Sequence, residues 1–192
     1  MITIIPEDVL PQGSEEWLEL RKKYVTGTSA IQILQGKTID EVILAKNNAK
    51  PFHGNYYTKR GHDLEPEARH IYSEVYHKVQ QAGFILNDKY PKAAMSPDGI
   101  VEDNALIEIK CFQPERHFKV YKNLDPSILA QIQFGLFVSE RDWCDLILYN
   151  PDLDDLSKQF LVRRIEPIPE TQQKFKEVFT KLLTDAPNES KI

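Results

Sequence analysis

The sequence has few cysteines, no long apolar run and no recognisable secretory signal. Its two cysteines, Cys111 and Cys144, are too few for a zinc or iron–sulfur centre, so we expect both to be reduced and buried in the core. No apolar stretch approaches the roughly 18 to 20 residues that a membrane helix needs. These absences predict a cytoplasmic protein without a membrane span.

Basic residues do not predominate either. The 192 residues include 24 Lys and Arg against 29 Asp and Glu, which gives a formal net charge of −5 at pH 7. This balance argues against a protein that coats nucleic acid by bulk attraction. A local phosphate-binding surface is still compatible with it, because only the residues that meet the phosphates need to be basic.

Several catalytic motifs are also missing. The five histidines lack metalloprotease spacing, and the chain contains neither a Gly-x-x-x-x-Gly-Lys-Ser/Thr loop nor a Gly-x-Ser-x-Gly sequence. The sequence therefore predicts neither an ATP motor nor a serine hydrolase.

The hydrophobic pattern changes from helical to strand-like along the chain. Helices are predicted over residues 14–24, 28–34, a segment after Thr38, 57–77, 126–138 and 171–183. Strands are predicted over residues 79–86, 93–96, 99–101, 106–111, 143–149 and 160–165. In the long helix, Pro66 removes a backbone donor, so a kink or a restart is expected just after Glu65. We predict one α/β or α+β domain over residues 1–192, with a mixed central sheet flanked by helices and a frayed tail from about residue 186.

A cluster of charged residues lies within one predicted strand. Side chains alternate along a strand, so Glu108 and Lys110 project from the same face. The turn Pro97-Asp98-Gly99 brings Asp98 beside Glu108 if the intervening residues 102–104 form a hairpin. Mg²⁺ binds one or two carboxylates of this kind, keeps several waters and takes further oxygens from a substrate phosphate. A neighbouring lysine can orient the attacking water.

These patterns also have ordinary explanations. Asp-Gly is a common turn signal, and Glu-x-Lys on one strand face is often a solvated ion pair. The apolar residues around the Glu-Ile-Lys segment favour the metal site over a solvated pair.

Five blocks of sequence together resemble a known family. They are Trp17-Leu18-Glu19-Leu20-Arg21 with Thr26-Gly27-Thr28-Ser29, Gly61-His62-Asp63-Leu64-Glu65 with Ala68-Arg69, Met95-Ser96-Pro97-Asp98-Gly99, Glu108-Ile109-Lys110-Cys111, and Ala130-Gln131-Ile132-Gln133. Their order over roughly residues 12 to 150 resembles the lambda exonuclease and YqaJ-type viral recombinase group of the PD-(D/E)xK nuclease superfamily.

The resemblance implies a restriction-endonuclease-like core and a specific activity. The expected enzyme is a Mg²⁺-dependent 5′→3′ exonuclease on linear double-stranded DNA that leaves 3′ single-stranded tails for recombination. Mn²⁺ is expected to substitute, with one or two ions per site. The resemblance further implies a ring-shaped trimer, a single-strand annealing protein as partner, and a phage or prophage origin in a bacterial cell.

The resemblance also implies roles for the residues of the metal site. Asp98 and Glu108 become metal-binding carboxylates, with the backbone carbonyl of Ile109 as a further ligand. Lys110 becomes the residue that positions the nucleophilic water, and Glu65 completes the metal environment directly or indirectly. Without the family, Glu65 is simply a glutamate on a helix surface before a proline.

Further residues match positions that contact substrate in the family. Arg21 corresponds to the arginine that holds the 5′-terminal phosphate, and Thr26, Thr28 and Ser29 lie where the family places hydroxyls near it. Gln131 corresponds to a glutamine near the active-site phosphate. The ordinary alternatives are a solvated basic run for Arg21, helix capping for Thr28 or Ser29, and an edge position for Gln131.

Between residues 35 and 56 the sequence does not match the family, so the residues that grip the duplex are not identified there. Lys37 is a candidate phosphate contact in this segment. Two other functions use the same residues differently. One is an endonuclease of restriction or repair type, and the other is a protein that binds DNA ends without cutting them.

Overall fold

The computed structural model describes residues 1–50 and 54–184, so the tail predicted to fray from about residue 186 lies outside the described residues. The helices are α1 (Glu15–Lys22), α2 (Ala30–Leu34), α3 (Ile39–Asn48), α4 (Tyr56–Val75), α5 (Pro114–Lys122), α6 (Pro126–Ser139), α7 (Leu156–Gln159) and α8 (Pro169–Thr184). A 3₁₀ turn, Gly27–Ser29, precedes α2. The strands are β1 (Ile2–Pro6), β2 (Val79–Gln80), β3 (Ala82–Asn87), β4 (Ala94–Met95), β5 (Gly99–Val101), β6 (Ala105–Lys110), β7 (Trp143–Tyr149) and β8 (Phe160–Ile165).

Several helices begin at polar residues that cap their free backbone N–H groups. The Ser14 side chain accepts a hydrogen bond from the Trp17 N–H at the start of α1, and Thr38 and Glu41 form a reciprocal capping box at the start of α3. The Asn55 side chain starts α4 in the same way. These local contacts explain why the predicted starts of α1 and α3 are confirmed.

The main sheet has the strand order β2-β5-β6-β7-β8. The central pair β6 and β7 is parallel, and the other pairs are antiparallel. Strands β5 and β6 form the predicted hairpin, in which Glu102 adopts a left-handed φ of 48°. Apolar residues of β6 pack alternately on the two sides of the sheet, towards α4 and towards α6. The predicted mixed sheet flanked by helices is therefore confirmed.

A second, three-stranded sheet has the order β1-β3-β4. The prediction of one strand over residues 79–86 is wrong, because β2 belongs to the main sheet and β3 to this one. The chain changes sheet near Gln81, a change that the continuous β-like composition conceals. Ile85 and Met95 of the second sheet share a hydrophobic cluster with Leu106 and Leu146 of the main sheet. The two sheets therefore pack around a common core.

The sequence pattern also misjudges α4. The expected restart after Glu65 is absent, since α4 continues through Pro66 without interruption. Ala68 and Tyr72, which follow the proline, are completely buried against the main sheet. This packing holds the helix together although Pro66 cannot donate its backbone hydrogen bond. Strand β1 and helices α5 and α7 were not predicted at all.

Both cysteines are free thiols in the core, as predicted. Cys111 lies in the cluster on the α4 side of the main sheet, and Cys144 lies in the cluster on the α6 side. Over residues 1–50 and 54–184, none of the helices combines the length and the apolar character required to cross a bilayer.

Candidate active site

Glu108 and Lys110 form an ion pair at the end of β6. Their Oε1 and Nζ atoms are 2.6 Å apart, and their side chains are only 8% and 23% exposed. Strand alternation turns both side chains to the α6 side, whereas Ile107 and Ile109 pack on the α4 side. The predicted shared face is therefore confirmed, and the low exposure distinguishes this pair from a solvated surface pair.

Asp98 reaches the same place because β5 is shorter than β6. The pairing of β5 with β6 ends at Gly99 and Ile107, so the next part of β6 has no backbone partner on that side. The Asp98 Oδ2 atom takes that position and accepts a hydrogen bond of 2.6 Å from the backbone N–H of Ile109. The N–H and C=O groups of one strand residue point to the same side, which places the Ile109 carbonyl on the Asp98 edge.

Glu65 brings a third carboxyl group to this cluster from α4. Burial, together with the charges of Asp98 and Glu108, raises the pKa of Glu65 to about 8. Burial likewise raises the pKa of Asp98 and raises that of Glu108 to about 7. Burial alone would lower the pKa of Lys110, but the carboxylates of Glu108, Asp98 and Glu65 reverse this and raise it. The lysine is therefore held in its charged form.

This donor set fits a hard divalent cation. Three mutually repelling carboxyl groups that are removed from water favour a positive charge between them. Among the described contacts, hydrogen bonds occupy only Oδ2 of Asp98 and Oε1 of Glu108, so one oxygen of each carboxylate is available for a cation. Within residues 1–50 and 54–184, no three His, Cys, Asp or Glu side chains are already arranged as a metal-binding group.

Gln131 connects this cluster to α6. Its Nε2 atom donates to Glu108 Oε1 at 2.6 Å, and its Oε1 atom accepts from Lys110 Nζ at 3.4 Å. Gly27 lies against the same side chain, so close that a Cβ at Gly27 would be 2.8 Å from Gln131 Cγ. The structure thus places Gln131 beside Glu108 and Lys110, where it orients both members of the ion pair.

Arg21 lies in the last turn of α1. Its guanidinium stacks on the ring of Trp17 at 4.3 Å and donates to the Thr28 hydroxyl at 3.4 Å. The Trp17 indole N–H donates in turn to Ser96 Oγ at 2.8 Å, two residues before Asp98. Trp17 therefore joins Arg21 to the segment that leads to Asp98.

The other two predicted hydroxyl residues are buried. The Ser29 hydroxyl accepts from the backbone N–H of Thr26 and donates to the Thr26 carbonyl, so it holds the turn. Thr26 Oγ1 accepts a hydrogen bond of 3.0 Å from Lys46 Nζ. Lys37, the other candidate for a phosphate contact, is exposed and donates to Gln32. The roles of these residues in substrate binding stay predictions.

A cleft of about 1030 Å³ opens beside Glu65 and Lys110. Helices α4, α5 and the start of α6 form its walls, and the exposed side chains of Tyr57, Arg116 and Lys119 lie along it. Aromatic and basic side chains are suited to the bases and phosphates of a nucleic acid strand. The cleft therefore offers a path for a strand to reach the carboxylates.

Sequence reasoning missed three residues around this site. Arg69 donates from Nε to the backbone carbonyl of Asp98 at 2.6 Å, and its position one helical turn after Glu65 was an available signal. Ser96 was noticed only as part of a motif. Lys46 lies at least 20 residues from each group it binds, so no local pattern could have indicated it.

Comparisons with known proteins identify the family and the fold. The model of the YqaJ-like viral recombinase domain matches residues 16–142. The alkaline exonuclease LHK-Exo from Laribacter hongkongensis has a similar structure, with a TM-score of 0.73, 27% identity, and coverage of 90% of this chain and 94% of that chain. LHK-Exo in complex with dAMP gives a TM-score of 0.76, 28% identity, and coverage of 90% and 92%.

A more distant structure supports the fold alone. A phage-related exonuclease from Haemophilus somnus 129PT has a TM-score of 0.55 and 14% identity, with coverage of 88% of this chain and 98% of that chain. No curated protein matches the chain significantly.

Proposed function

Because the chain belongs to the family of YqaJ-like viral recombinase domains, we propose that it is a metal-dependent exonuclease of viral recombination. Its substrate would be linear double-stranded DNA, digested from the 5′ end to leave 3′ single-stranded tails. The observation that carries this proposal is the convergence of Asp98, Glu108 and Lys110, from a turn and a strand end, on one buried cluster. The likeness to LHK-Exo, an alkaline exonuclease, supports the choice of an exonuclease.

Asp98, Glu108 and the Ile109 carbonyl would hold the metal, with Glu65 acting directly or through a water. The fitting ion is Mg²⁺, or Mn²⁺ as a substitute, in one or two copies. When bound, it supplies a water of lowered pKa and charge stabilisation for phosphodiester hydrolysis. The acidic pair and the strand carbonyl are oxygen donors of the type that such ions prefer.

Lys110 would orient the attacking water and offset charge that develops on the phosphate. Its ion pair with Glu108 keeps it protonated, so it acts as a hydrogen-bond donor. Gln131 holds Glu108 Oε1 and Lys110 Nζ in their relative positions. Arg69 donates a hydrogen bond to the Asp98 carbonyl and so holds the Asp98 backbone in position. The cluster is thereby oriented before substrate arrives.

Arg21 would bind the 5′-terminal phosphate together with Thr28 and Thr26. A guanidinium presents its donors in a planar fork that matches a phosphate, and stacking on Trp17 holds that fork in place. Gly27, the residue before Thr28, lies against Gln131, so end recognition and the carboxylate cluster would be adjacent. This adjacency supports a preference for 5′-phosphorylated ends.

The assembly and partners belong to the same proposal. A ring-shaped trimer around DNA would explain how an acidic chain retains its substrate, because a few basic residues from each subunit face one channel. A single-strand annealing protein would receive the 3′ tails. The protein would work in the cytoplasm of a bacterial cell and derive from a phage or prophage.

The test is digestion of linear duplex labelled separately at each end, with 5′-phosphate and 5′-hydroxyl forms compared in Mg²⁺. We expect loss of label from the 5′ end first and faster loss from phosphorylated ends. Asp98→Ala and Lys110→Ala should abolish hydrolysis. Lys174→Met, a change at an exposed lysine on α8, should leave it unchanged.

Closed circular duplex separates this function from the endonuclease alternative. Rapid loss of the circle in Mg²⁺ would show an endonuclease instead. Hydrolysis no faster than that of the Asp98→Ala protein, in either Mg²⁺ or Mn²⁺, would leave a protein that binds DNA ends without cutting them.

A further inference from the structure

Lys46 on α3 contacts the loop that carries the proposed phosphate site. Its Nζ atom donates to the backbone carbonyls of Arg21 and Tyr24, both at 2.9 Å, and to Thr26 Oγ1 at 3.0 Å. All three N–H donors of the ammonium group are therefore used. The lysine ties the end of α1 to the turn before Gly27, the two segments that supply Arg21 and the threonines.

Lys46 and Arg21 are also two neighbouring cations without a counterion. In the part of the chain that the structure describes, no carboxylate lies within 4.0 Å of either side chain, although eleven other ion pairs are present there. Burial lowers the pKa of Arg21, and burial together with the charge of Arg21 lowers the pKa of Lys46 to about 8. Holding two like charges together out of water is unfavourable unless an anion joins them.

We propose that Lys46 is a positioning residue and the second cation of the end-recognition site, which makes the site selective for a phosphate monoester. This inference rests on the proposed recognition of a 5′-terminal phosphate. A terminal monoester carries up to two negative charges near neutral pH, whereas an internal phosphodiester carries one. Two cations, Arg21 and Lys46, match the monoester in charge. A site with Arg21 alone would distinguish the two less well.

The lysine acts through its neighbours. Because its donors are bound to protein oxygens, its charge acts on the anion through space. The Thr26 hydroxyl accepts from Lys46, so the lysine also holds the turn that leads to Thr28.

The experiment measures binding of short linear duplexes by fluorescence anisotropy in EDTA, where no hydrolysis occurs. The duplexes end in a 5′-phosphate, a 5′-hydroxyl or a 5′-methylphosphate. We expect the unmodified protein to prefer the phosphate end, and Lys46→Met to reduce that preference about tenfold. Lys46→Gln keeps hydrogen-bond donors without the charge and should lose the preference similarly. Lys174→Met is the control and should retain it.

The outcomes separate this inference from the proposed function. If the unmodified protein prefers phosphate ends and both Lys46 variants keep the same preference, the lysine is only structural and the inference is wrong. If the unmodified protein shows no preference, end recognition itself fails, and the inference fails with it.

A comparison on the unmodified protein keeps the inference falsifiable even if both variants unfold. Phosphate ends should bind more tightly than methylphosphate ends, which carry one charge fewer. Equal affinity for the two would contradict selection by charge.

Discussion

Gly27 and Gln131 are in direct contact, and this contact joins the proposed end-recognition turn to the carboxylate cluster. A Cβ at position 27 would lie 2.8 Å from Gln131 Cγ and 3.5 Å from the Gln131 carbonyl oxygen. The Gln131 amide is tied to Glu108 and Lys110, so the side chain has little freedom to move away. Any change at Gly27 should therefore disturb both groups.

Gly27→Ala should reduce hydrolysis by up to about 100-fold, because a displacement of about 1 Å in a catalytic group can have that effect. It should also lower the free energy of unfolding by about 1–3 kcal/mol through overpacking. Single-turnover kinetics and urea unfolding measure the two effects. Gly61→Ala is the folding control, since a Cβ there meets no atom within 4 Å. A Gly27→Ala protein with normal rate and stability would contradict the contact.

Metal binding should be visible in stability. Adding Mg²⁺ or Mn²⁺ should raise the melting temperature of the unmodified protein, because a cation relieves repulsion among the buried carboxyl groups of Glu65, Asp98 and Glu108. Asp98→Asn retains an acceptor for the Ile109 N–H but loses the charge. It should fold and show a much smaller shift. Asp103→Asn, an exposed change in the β5–β6 turn, should behave like the unmodified protein.

Arg164 should be important for stability. Asp145 is buried, and its carboxylate accepts two hydrogen bonds from Arg164, at 2.9 and 3.0 Å, and one from the Tyr72 hydroxyl at 2.7 Å. Arg164→Met would leave that carboxylate partly unpaired and should cost about 1–2 kcal/mol, a value reduced because Arg164 is about half exposed. Denaturant unfolding measures it, and the exposed neighbour Arg163→Met should change stability by less than about 0.5 kcal/mol.

His117 should make folding sensitive to mild acid. Its ring is completely buried, its Nε2 atom lies 3.0 Å from the Lys158 carbonyl, and burial lowers its pKa from the ordinary 6.5. Just below pH 6.5 His117 therefore binds more protons in the unfolded chain than in the folded chain, so its contribution to the free energy of unfolding falls as the pH falls. His117→Gln should keep more of its free energy of unfolding than the unmodified protein when the pH is lowered from about 7.5 to about 5.5. These values lie about one unit on either side of the ordinary histidine pKa. If the free energy of unfolding changes with pH to the same extent in both proteins, His117 does not contribute to acid sensitivity.

Local physics made several features predictable from sequence. The period of a strand places Glu108 and Lys110 on one face whatever surrounds them, and the structure agrees. Thr38 and Glu41 determine the start of α3 through contacts three residues apart. The hairpin between β5 and β6 followed from turn residues in the same way. Each of these features depends on neighbours in the chain.

Only the tertiary structure decided which distant segments meet. The sequence did not show that β2 and β3 separate into different sheets, because both have the same β-like composition. Nor did it show that Lys46 is joined to residues at least 20 positions away, since such contacts arise from the packing of α3 against α1. The turn residues and the family resemblance together predicted Asp98 beside Glu108. The reason they meet is that β5 begins only at Gly99, one residue after Asp98, and so leaves the Ile109 N–H for the Asp98 carboxylate.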